Sequence, residues 1–373
     1  MDIDTKRNRI LPAPTRSPSR ARATPNRTGR LPGPRWLARA LLLVVALLGS
    51  AALAAGAEAA EADSAAPDGD SFTALVVEND GLTGQGLDRW YTGGLQLAYA
   101  TEAHPPPRWL QQLGRHGAGL DVGADALWGL SVAQRAFTPA NITDPEMPPA
   151  DRPYAGWLNV TLGIAERTPD SLGRLRLGLG VTGEPALAEQ IQQVSHDLFG
   201  SDEPVGWDSQ LPSEPTFQVA YDRQWTVQAG PLAGPLRYRL DTATGASLGT
   251  ALTQAGAGLS ASIGQRLPRD HGPPRLSGVS TGSLSFDSAA GAGWYATLGA
   301  NARLVAHNLF LDGTVFRDSP SVEREPAVTE AYAGVVAYRH RLRLSITWIQ
   351  RSEAFTRQGE PQAFGVATVT WAH

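Results

Sequence analysis

Cysteine is absent from this chain of 373 residues, and Lys6 is the only lysine. The absence of cysteine excludes disulfide bonds and thiolate metal sites. Beyond residue 57 the sequence has no uninterrupted run of about 20 apolar residues, the length that a membrane-spanning helix requires. The chain therefore has to be stabilised by side-chain packing or by a closed sheet.

The first 57 residues have the composition of a secretory signal peptide. Residues 1–39 carry ten cations and two acidic residues, and the apolar segment 40–55 follows. This segment is short for a spanning helix and ends in Ala-Gly-Ala at 55–57, a cleavage pattern of small residues. We expect a signal peptide at 1–57, a flexible linker at 58–70 and one folded domain at 71–373. An uncleaved N-terminal anchor is the alternative.

The charge of the expected mature chain bears on its partners. Removing the ten cations and two acidic residues of the leader from the totals of 32 and 36 leaves 22 and 34, a net charge of −12. No basic patch stands out, and an acidic balance is unfavourable for binding phosphate backbones. We expect no nucleic-acid partner.

From residue 71 onward, apolar and polar residues alternate with a period of two. In one such segment Leu342, Leu344, Ile346 and Trp348 alternate with Arg341, Arg343, Ser345 and Thr347. About a dozen segments of about 9–13 residues share this pattern, and a tilted membrane-crossing strand has a similar length. A soluble β-sandwich also alternates, but its strands are typically about 5–6 residues long. The pattern therefore predicts an all-β fold, a transmembrane antiparallel β-barrel of about 12 strands with arginine and glycine facing a wet interior.

Residues 184–200 break the β pattern and predict a short helix between two strands. Pro185 near its start and Gly200 just after its end are typical helix boundaries. The helix would carry an apolar stripe on one face, formed by Leu187, Ile191, Val194 and Leu198. Gln192 and His196 are four residues apart and share the opposite face, whereas Ser195 is expected to point off that face. His196 is thus the leading candidate for chemistry, and a solvated surface histidine is the alternative.

Two further polar clusters lie at the ends of predicted strands. Asn79-Asp80 follows the first strand, and a short hairpin would return Thr92 close to Asn79. An Asn-Asp-Gly turn explains the first cluster structurally, but its amide and carboxylate oxygens also suit calcium. For the second cluster, Asp151-Arg152-Pro153-Tyr154, we expect mainly an Asp–Arg pair with a proline that fixes the start of a strand.

Taken in order, the motifs resemble those of the outer-membrane lipid A 3′-O-deacylase family. They are E-N-D at 78–80, D-R-x-Y-T-x-G at 88–94, D-R-P-Y-A-G-W at 151–157, E-x-x-Q-x-x-x-H at 189–196, G-W-D-x-Q-L with E-P at 206–215, L-D-G-x-x-F-R-D-S at 311–319 and S-E-x-F-x-x-Q at 352–358. The likeness extends from about Phe72 to Trp371.

The resemblance implies a twelve-stranded outer-membrane barrel with an active site near the extracellular rim. Members of the family hydrolyse, with calcium, the ester that joins the 3′ acyloxyacyl chain to lipid A. His196 would then be the general base and Gln192 a residue that orients it or the substrate. Asn79, Asp80 and Thr92 would form the facing wall, with calcium nearest Asp80. Lipid A within lipopolysaccharide would be the partner, and we expect a monomer.

One departure concerns phosphate binding. The family has lysine and arginine in the loop after the third strand, whereas residues 140–150 here contain Asp144 and Glu146 and no cation. Other arginines would have to bind the lipid A phosphates, or the head group differs. Two alternative functions remain, a non-catalytic or transport barrel of the same family and an outer-membrane phospholipase. The absence of a G-x-S-x-G motif disfavours the phospholipase.

The leader generates the first testable prediction. We expect cleavage close to Ala57, because the apolar segment ends there in small residues. N-terminal sequencing of protein from the outer-membrane fraction measures this directly. A mature chain that retains residues 35–55 would instead support the N-terminal anchor.

Overall fold

The structure of the protein is a computed structural model that describes residues 71–83, 89–101, 104–123, 126–144, 150–199, 201–265, 267–268 and 291–373. The expected signal peptide and linker lie outside the described residues. The same applies to Asp88, Gly200 and residues 145–149, which include Glu146. Every other candidate residue of the site can be located.

Twelve antiparallel strands close into a barrel in which β12 pairs with β1. They are β1 (Ser71–Asn79), β2 (Trp90–Thr101), β3 (Leu127–Thr138), β4 (Ala155–Arg167), β5 (Ser171–Thr182), β6 (Pro215–Ala233), β7 (Leu236–Gly249), β8 (Leu252–Gly264), β9 (Ala292–Asn308), β10 (Ala327–Arg339), β11 (Leu342–Arg351) and β12 (Gln362–Ala372). Closure satisfies the backbone hydrogen bonds of every strand without leaving an edge. The predicted all-β barrel of about 12 strands is confirmed.

Three α-helices accompany the strands in the described part of the chain, Arg108–Ala118, Ala188–Phe199 and the single turn Leu309–Asp312, together with the 3₁₀ turns Asp80–Thr83, Glu184–Ala186 and Trp207–Ser209. No helix among the described residues is long and apolar enough to cross a membrane. The helix Ala188–Phe199 lies between β5 and β6 and is called the rim helix below. The barrel end at which β1 ends and β2 begins is called the site end.

The strands place apolar side chains outside and polar side chains inside. On β11 the side chain of Ile346 is 72% exposed, whereas the next residue, Thr347, is only 4% exposed. The lumen contains arginines paired with buried acids: Arg174 and Arg176 with Asp222, Arg239 with Asp241, and Arg303 and Arg351 with Glu330. Pairing matters because an isolated charge removed from water is strongly destabilising.

The lumen is less wet at the site end than the sequence pattern suggested. An aromatic cluster occupies it, built around Phe310, which enters from the loop after β9. Its ring stacks on Phe137 at a centroid distance of 4.5 Å and lies 5.4 Å from the ring of Trp157. Tyr91 and Phe364 extend the cluster with a centroid distance of 5.0 Å. Arginine-rich polarity therefore describes only part of the interior, because inward-facing aromatic residues at the site ends of several strands pack around Phe310.

The helix Arg108–Ala118 packs on the outside of the barrel at the end opposite the site. Leu110 forms a buried cluster with Ile164 of β4 and Leu175 of β5. These two side chains belong to the lipid-facing rows of their strands, since Ile164 alternates with the buried inward-facing residues Thr161 and Gly163. The helix ends at Gly119, whose φ of 62° is the left-handed conformation that glycine adopts without strain.

The alternation on β11 generates a prediction about facing. Arginine placed at Ile346, in the middle of the lipid-facing row, should destabilise the barrel by about 2–4 kcal/mol because the charge would enter the bilayer. The same substitution at Ser345, on the inward row, is the matched control and should be milder. Urea-induced unfolding in lipid vesicles measures both changes. Equal destabilisation at the two positions would contradict the assigned facing.

Candidate active site

A cavity of about 480 Å³ lies on the outer face of the barrel, between the rim helix and strands β1–β3. Its floor comes from the lipid-facing rows, in which Leu130 and Val132 are followed by Gln134 and Ala136. The cavity is lined by all five candidate residues, Asn79, Asp80, Thr92, Gln192 and His196. The rest of the lining includes Val77, Gly81, Leu82, Gly93, Gly94, Leu95, Ile191, Ser195 and Ser201. The five candidate residues of the sequence thus converge on one cavity.

Glycine determines how the rim helix lies against the barrel. A Cβ atom on Gly156 of β4 would come within 2.7 Å of the Cβ of Ala188 and 3.0 Å of that of Ala186. Only a residue without a side chain allows this close approach. The predicted helix start near residue 184 is wrong by a few residues, because Glu184–Ala186 form a 3₁₀ turn that contains Pro185, and Leu187 has a φ of 57°. This left-handed residue ends the turn, and the α-helix begins at Ala188.

The buried face of the rim helix is the polar one. Gln192 and His196 are only 4% and 6% exposed, whereas Leu187, Ile191 and Val194 of the apolar stripe are half-buried. The alternative of a solvated surface histidine is therefore wrong, and Ser195, expected to point elsewhere, also lines the cavity. The reason is that the helix covers a lipid-facing wall, so its apolar stripe can face the bilayer while its polar face turns inward.

The ring of His196 has a defined tautomer. Its Nδ1 is hydrogen-bonded to the backbone carbonyl oxygen of Asp202. A carbonyl oxygen can only accept, so Nδ1 carries the proton and the neutral ring presents Nε2 as an acceptor. The sequence could not reveal Asp202, because any residue can supply a backbone carbonyl.

Gln192 is oriented by a residue that the sequence marked only as part of an aromatic loop. The indole Nε1 of Trp207 donates to Oε1 of Gln192 at 2.8 Å. Since indole is a donor only, the amide oxygen must face Trp207, and the NH₂ group is left for other partners. Trp207 in turn packs on Tyr154 at a centroid distance of 4.9 Å, and Gly206 allows this because a Cβ there would lie 2.3 Å from the Tyr154 ring.

The facing wall is built by the hairpin between β1 and β2. The side-chain amide of Asn79 donates from Nδ2 to the carbonyl of Thr92 at 2.9 Å, and its Oδ1 accepts from the backbone N–H of Gly81 at 2.7 Å. The hairpin does bring Thr92 to Asn79. The hydroxyl oxygen of Thr92 lies 2.7 Å from the hydroxyl oxygen of Thr138. Asn79 is therefore engaged in shaping the turn, in addition to lining the cavity.

Two carboxylates, Glu78 and Asp80, are among the described residues that line the cavity. Glu78 accepts a hydrogen bond from the Tyr91 hydroxyl and lies 4.0 Å from Arg135, so Asp80 is the better candidate for a metal ligand. It is buried, and its Oδ2 accepts from the backbone N–H of Arg89 at 2.9 Å. No cluster of three or more His, Cys, Asp or Glu side chains suited to a metal exists among the described residues. A hard cation such as calcium fits this donor set only if amide and backbone oxygens complete the shell around Asp80.

The Asp151-Arg152 motif has a structural role that differs from the expected ion pair. Asp151 accepts hydrogen bonds from the backbone N–H groups of Ala140 at 2.6 Å and Arg152 at 2.7 Å. The guanidinium of Arg152 turns into the barrel, 4.5 Å from the Phe137 ring centroid. Burial lowers the pKa of Arg152 to about 9. The motif thus connects the loop before β4 to the aromatic cluster of the lumen.

The fold is a closed antiparallel barrel with apolar outer rows, and a covered polar cavity lies on its outer wall. These features define an outer-membrane barrel protein with a candidate site at its surface. The sequence profile of the family described as "Outer membrane protein LpxR" matches residues 41–373. The chain belongs to this family, and the protein is located in the bacterial outer membrane. A search of curated protein sequences returns no match.

Solved structures give a likeness in fold. The chain is similar to LpxR from Salmonella typhimurium, with a TM-score of 0.63 and 20% sequence identity, covering 81% of this chain and 100% of that one. The beta domain of the Bordetella autotransporter BrkA follows with a TM-score of 0.41 and 10% identity, covering 82% of this chain and 100% of that one. At 20% identity the first likeness supports the barrel and leaves the chemistry to be argued from the residues.

Proposed function

We propose that the protein is a calcium-dependent hydrolase that removes the 3′-linked acyloxyacyl chain of lipid A in the outer leaflet of the outer membrane. Membership of the LpxR family supports an outer-membrane barrel that modifies lipid A. The observation that carries the finer proposal is the position of His196, buried in the same cavity as Asp80 and Gln192 with its Nδ1 bonded to the Asp202 carbonyl, so that Nε2 is the acceptor nitrogen of the ring.

The position of the cavity suits a substrate that stays in the membrane. Its floor is formed by apolar side chains of the lipid-facing rows, such as Val77 and Leu95, and its polar groups lie at the site end. An acyl chain can therefore lie along the outer wall while the sugar remains at the level of the head groups. The ester between them would reach the polar side chains without leaving the leaflet.

The residues support water-mediated ester hydrolysis. Nε2 of His196 accepts a proton from a water molecule as the water oxygen attacks the ester carbonyl, and it later returns the proton to the departing sugar oxygen. The hydrogen bond from Nδ1 to Asp202 keeps the ring oriented and stabilises its protonated form. The products are a free carboxylic acid and the 3′-hydroxyl group of the sugar.

Calcium would be held by the Asp80 carboxylate together with neighbouring amide and backbone oxygens. When bound, it would supply the positive charge that stabilises the developing oxyanion. The other carboxylate of the cavity, Glu78, is engaged by Tyr91 and Arg135, so the charge of the calcium ligands would come mainly from Asp80. Sites of low ligand charge in extracellular proteins bind calcium at about 10⁻⁴–10⁻³ M. We therefore infer a weak site that fills at the calcium concentrations outside the cell.

Two other functions are weighed against particular observations. A transport barrel needs an open lumen, and the aromatic cluster around Phe310 occupies the site end of the lumen. A phospholipase with a serine nucleophile gains some support from Ser195, which lines the cavity beside His196. The serine mechanism is the second candidate for that reason, although the sequence around Ser195 is not a nucleophile-elbow motif.

The general base can be tested by substitution. His196→Gln should reduce release of the acyloxyacyl chain by about 10²–10⁴-fold, because glutamine can still donate to the Asp202 carbonyl but cannot take a proton from water. Mass spectrometry of lipid A measures release, and heat-modifiable gel mobility reports folding. His307→Gln is the matched control, since His307 also bonds a backbone carbonyl, that of Thr250 at 2.8 Å, away from the cavity. Ser195→Ala distinguishes attack by water from attack by a serine. An inactive Ser195→Ala variant would favour the serine mechanism, and a fully active His196→Gln variant would refute the role of His196 as general base.

Calcium dependence is a separate prediction. Chelation should silence the wild-type enzyme, and added calcium should restore it. Asp80→Asn should shift the calcium requirement to higher concentrations, because an amide is a weaker ligand than a carboxylate. Asp121→Asn, at an exposed aspartate in the loop before β3, is the control and should leave the calcium titration unchanged. Activity that survives thorough chelation would rule out the calcium requirement.

A further inference from the structure

Gln134 is a polar residue in a lipid-facing row. On β3 the outward side chains Trp128, Leu130 and Val132 precede it, and the last two are exposed on the outer surface. Gln134 pairs with Leu158 of the lipid-facing row of β4. An amide on this wall is unfavourable, because lipid offers no hydrogen-bond partner. Its presence there requires an explanation other than the barrel pattern.

The amide nitrogen of Gln134 is buried and has no hydrogen-bond partner among the described residues. The side chain is only 3% exposed, because the rim helix covers this part of the wall. A buried donor without a partner destabilises the folded state, so such groups are rare in native proteins and call for a partner or a role.

A second amide donor lies on the opposite wall of the same cavity. Nε2 of Gln192 is also buried without a partner in the described part of the chain, and its oxygen is taken by Trp207. Both glutamines line the cavity that contains His196. Two unpartnered NH₂ groups, one from the barrel wall and one from the rim helix, thus adjoin the expected general base.

We propose that Gln134 is a substrate-contacting residue whose NH₂ group, together with that of Gln192, donates hydrogen bonds to the carbonyl oxygen of the bound ester. The inference deepens the proposed function and rests on it. As water attacks, charge develops on this oxygen, and donors already in place strengthen their hydrogen bonds without rearranging. Neutral amides suit this position because an unpaired cation on a lipid-facing wall would be far more unfavourable.

The experiment compares Gln134→Met with the wild-type enzyme on lipid A in mixed detergent micelles. Methionine has a similar length but no donor, so kcat should fall by about 10²–10³-fold, the typical effect of losing one oxyanion donor, with KM little changed. The barrel should remain at least as stable to heat, because the substitution removes an unpartnered buried amide. Gln134→Glu keeps the shape and should also lose kcat, since a carboxylate repels the oxyanion.

Gln96→Met is the matched control. Gln96 lies on the lumen face of β2, and both of its amide atoms are buried without a partner in the described residues. It does not line the cavity, so its variant should keep the wild-type kcat.

The outcomes separate the inference from the function on which it rests. An active wild type with an unchanged kcat in Gln134→Met overturns the inference and leaves the esterase standing. A loss of kcat accompanied by lower heat stability assigns Gln134 a structural role and also overturns it, as does a rise in KM alone. A wild type that hydrolyses no lipid A overturns the proposed function and the inference together.

Discussion

The constraint on which the structure depends is that the outer face of a closed barrel meets lipid, so strongly polar amide and imidazole side chains on that face have to be covered. The rim helix provides the cover over β1–β3, and it can approach only because Gly156 has no side chain. The side chain of Gln134 lies under it on the barrel wall, and Gln192 and His196 are buried on the inner face of the helix itself. The candidate site thus exists because one helix lies over part of the barrel wall and leaves a cavity between itself and the strands.

Stability and chemistry are divided between the two sides of this wall. Inside, paired charges such as those of Arg174 and Asp222 and the aromatic cluster around Phe310 fill the lumen. Outside, the hydrogen-bonding groups converge on a cavity. Because of this separation, we expect substitutions in the cavity to leave the packing of the lumen intact.

The loop after the rim helix positions the site through a chain of contacts. Asp202 holds His196, and Trp207 holds Gln192 while packing on Tyr154. At its end the carboxylate of Glu214 accepts the backbone N–H groups of Val315 at 2.8 Å and Phe316 at 2.9 Å. This contact explains the otherwise unassigned motif at 311–319, which connects the loop to the segment that delivers Phe310 into the lumen. The geometry of the candidate site therefore depends on loops that cross between distant strands.

Much of the fold and of the candidate site could be predicted from the sequence, because strand periodicity and motif spacing are local properties. The period of two determined the strands and their facing, and the four-residue spacing of Gln192 and His196 placed them on one helix face. The sequence also grouped Asn79, Asp80 and Thr92 through a hairpin. Tertiary structure alone decided which helix face is buried, which carbonyl orients His196 and which residue of β3 lies under the helix. The physical reason is that periodicity shows which side chains share a face, whereas the neighbour or medium that this face meets is set by contacts between segments far apart in the chain.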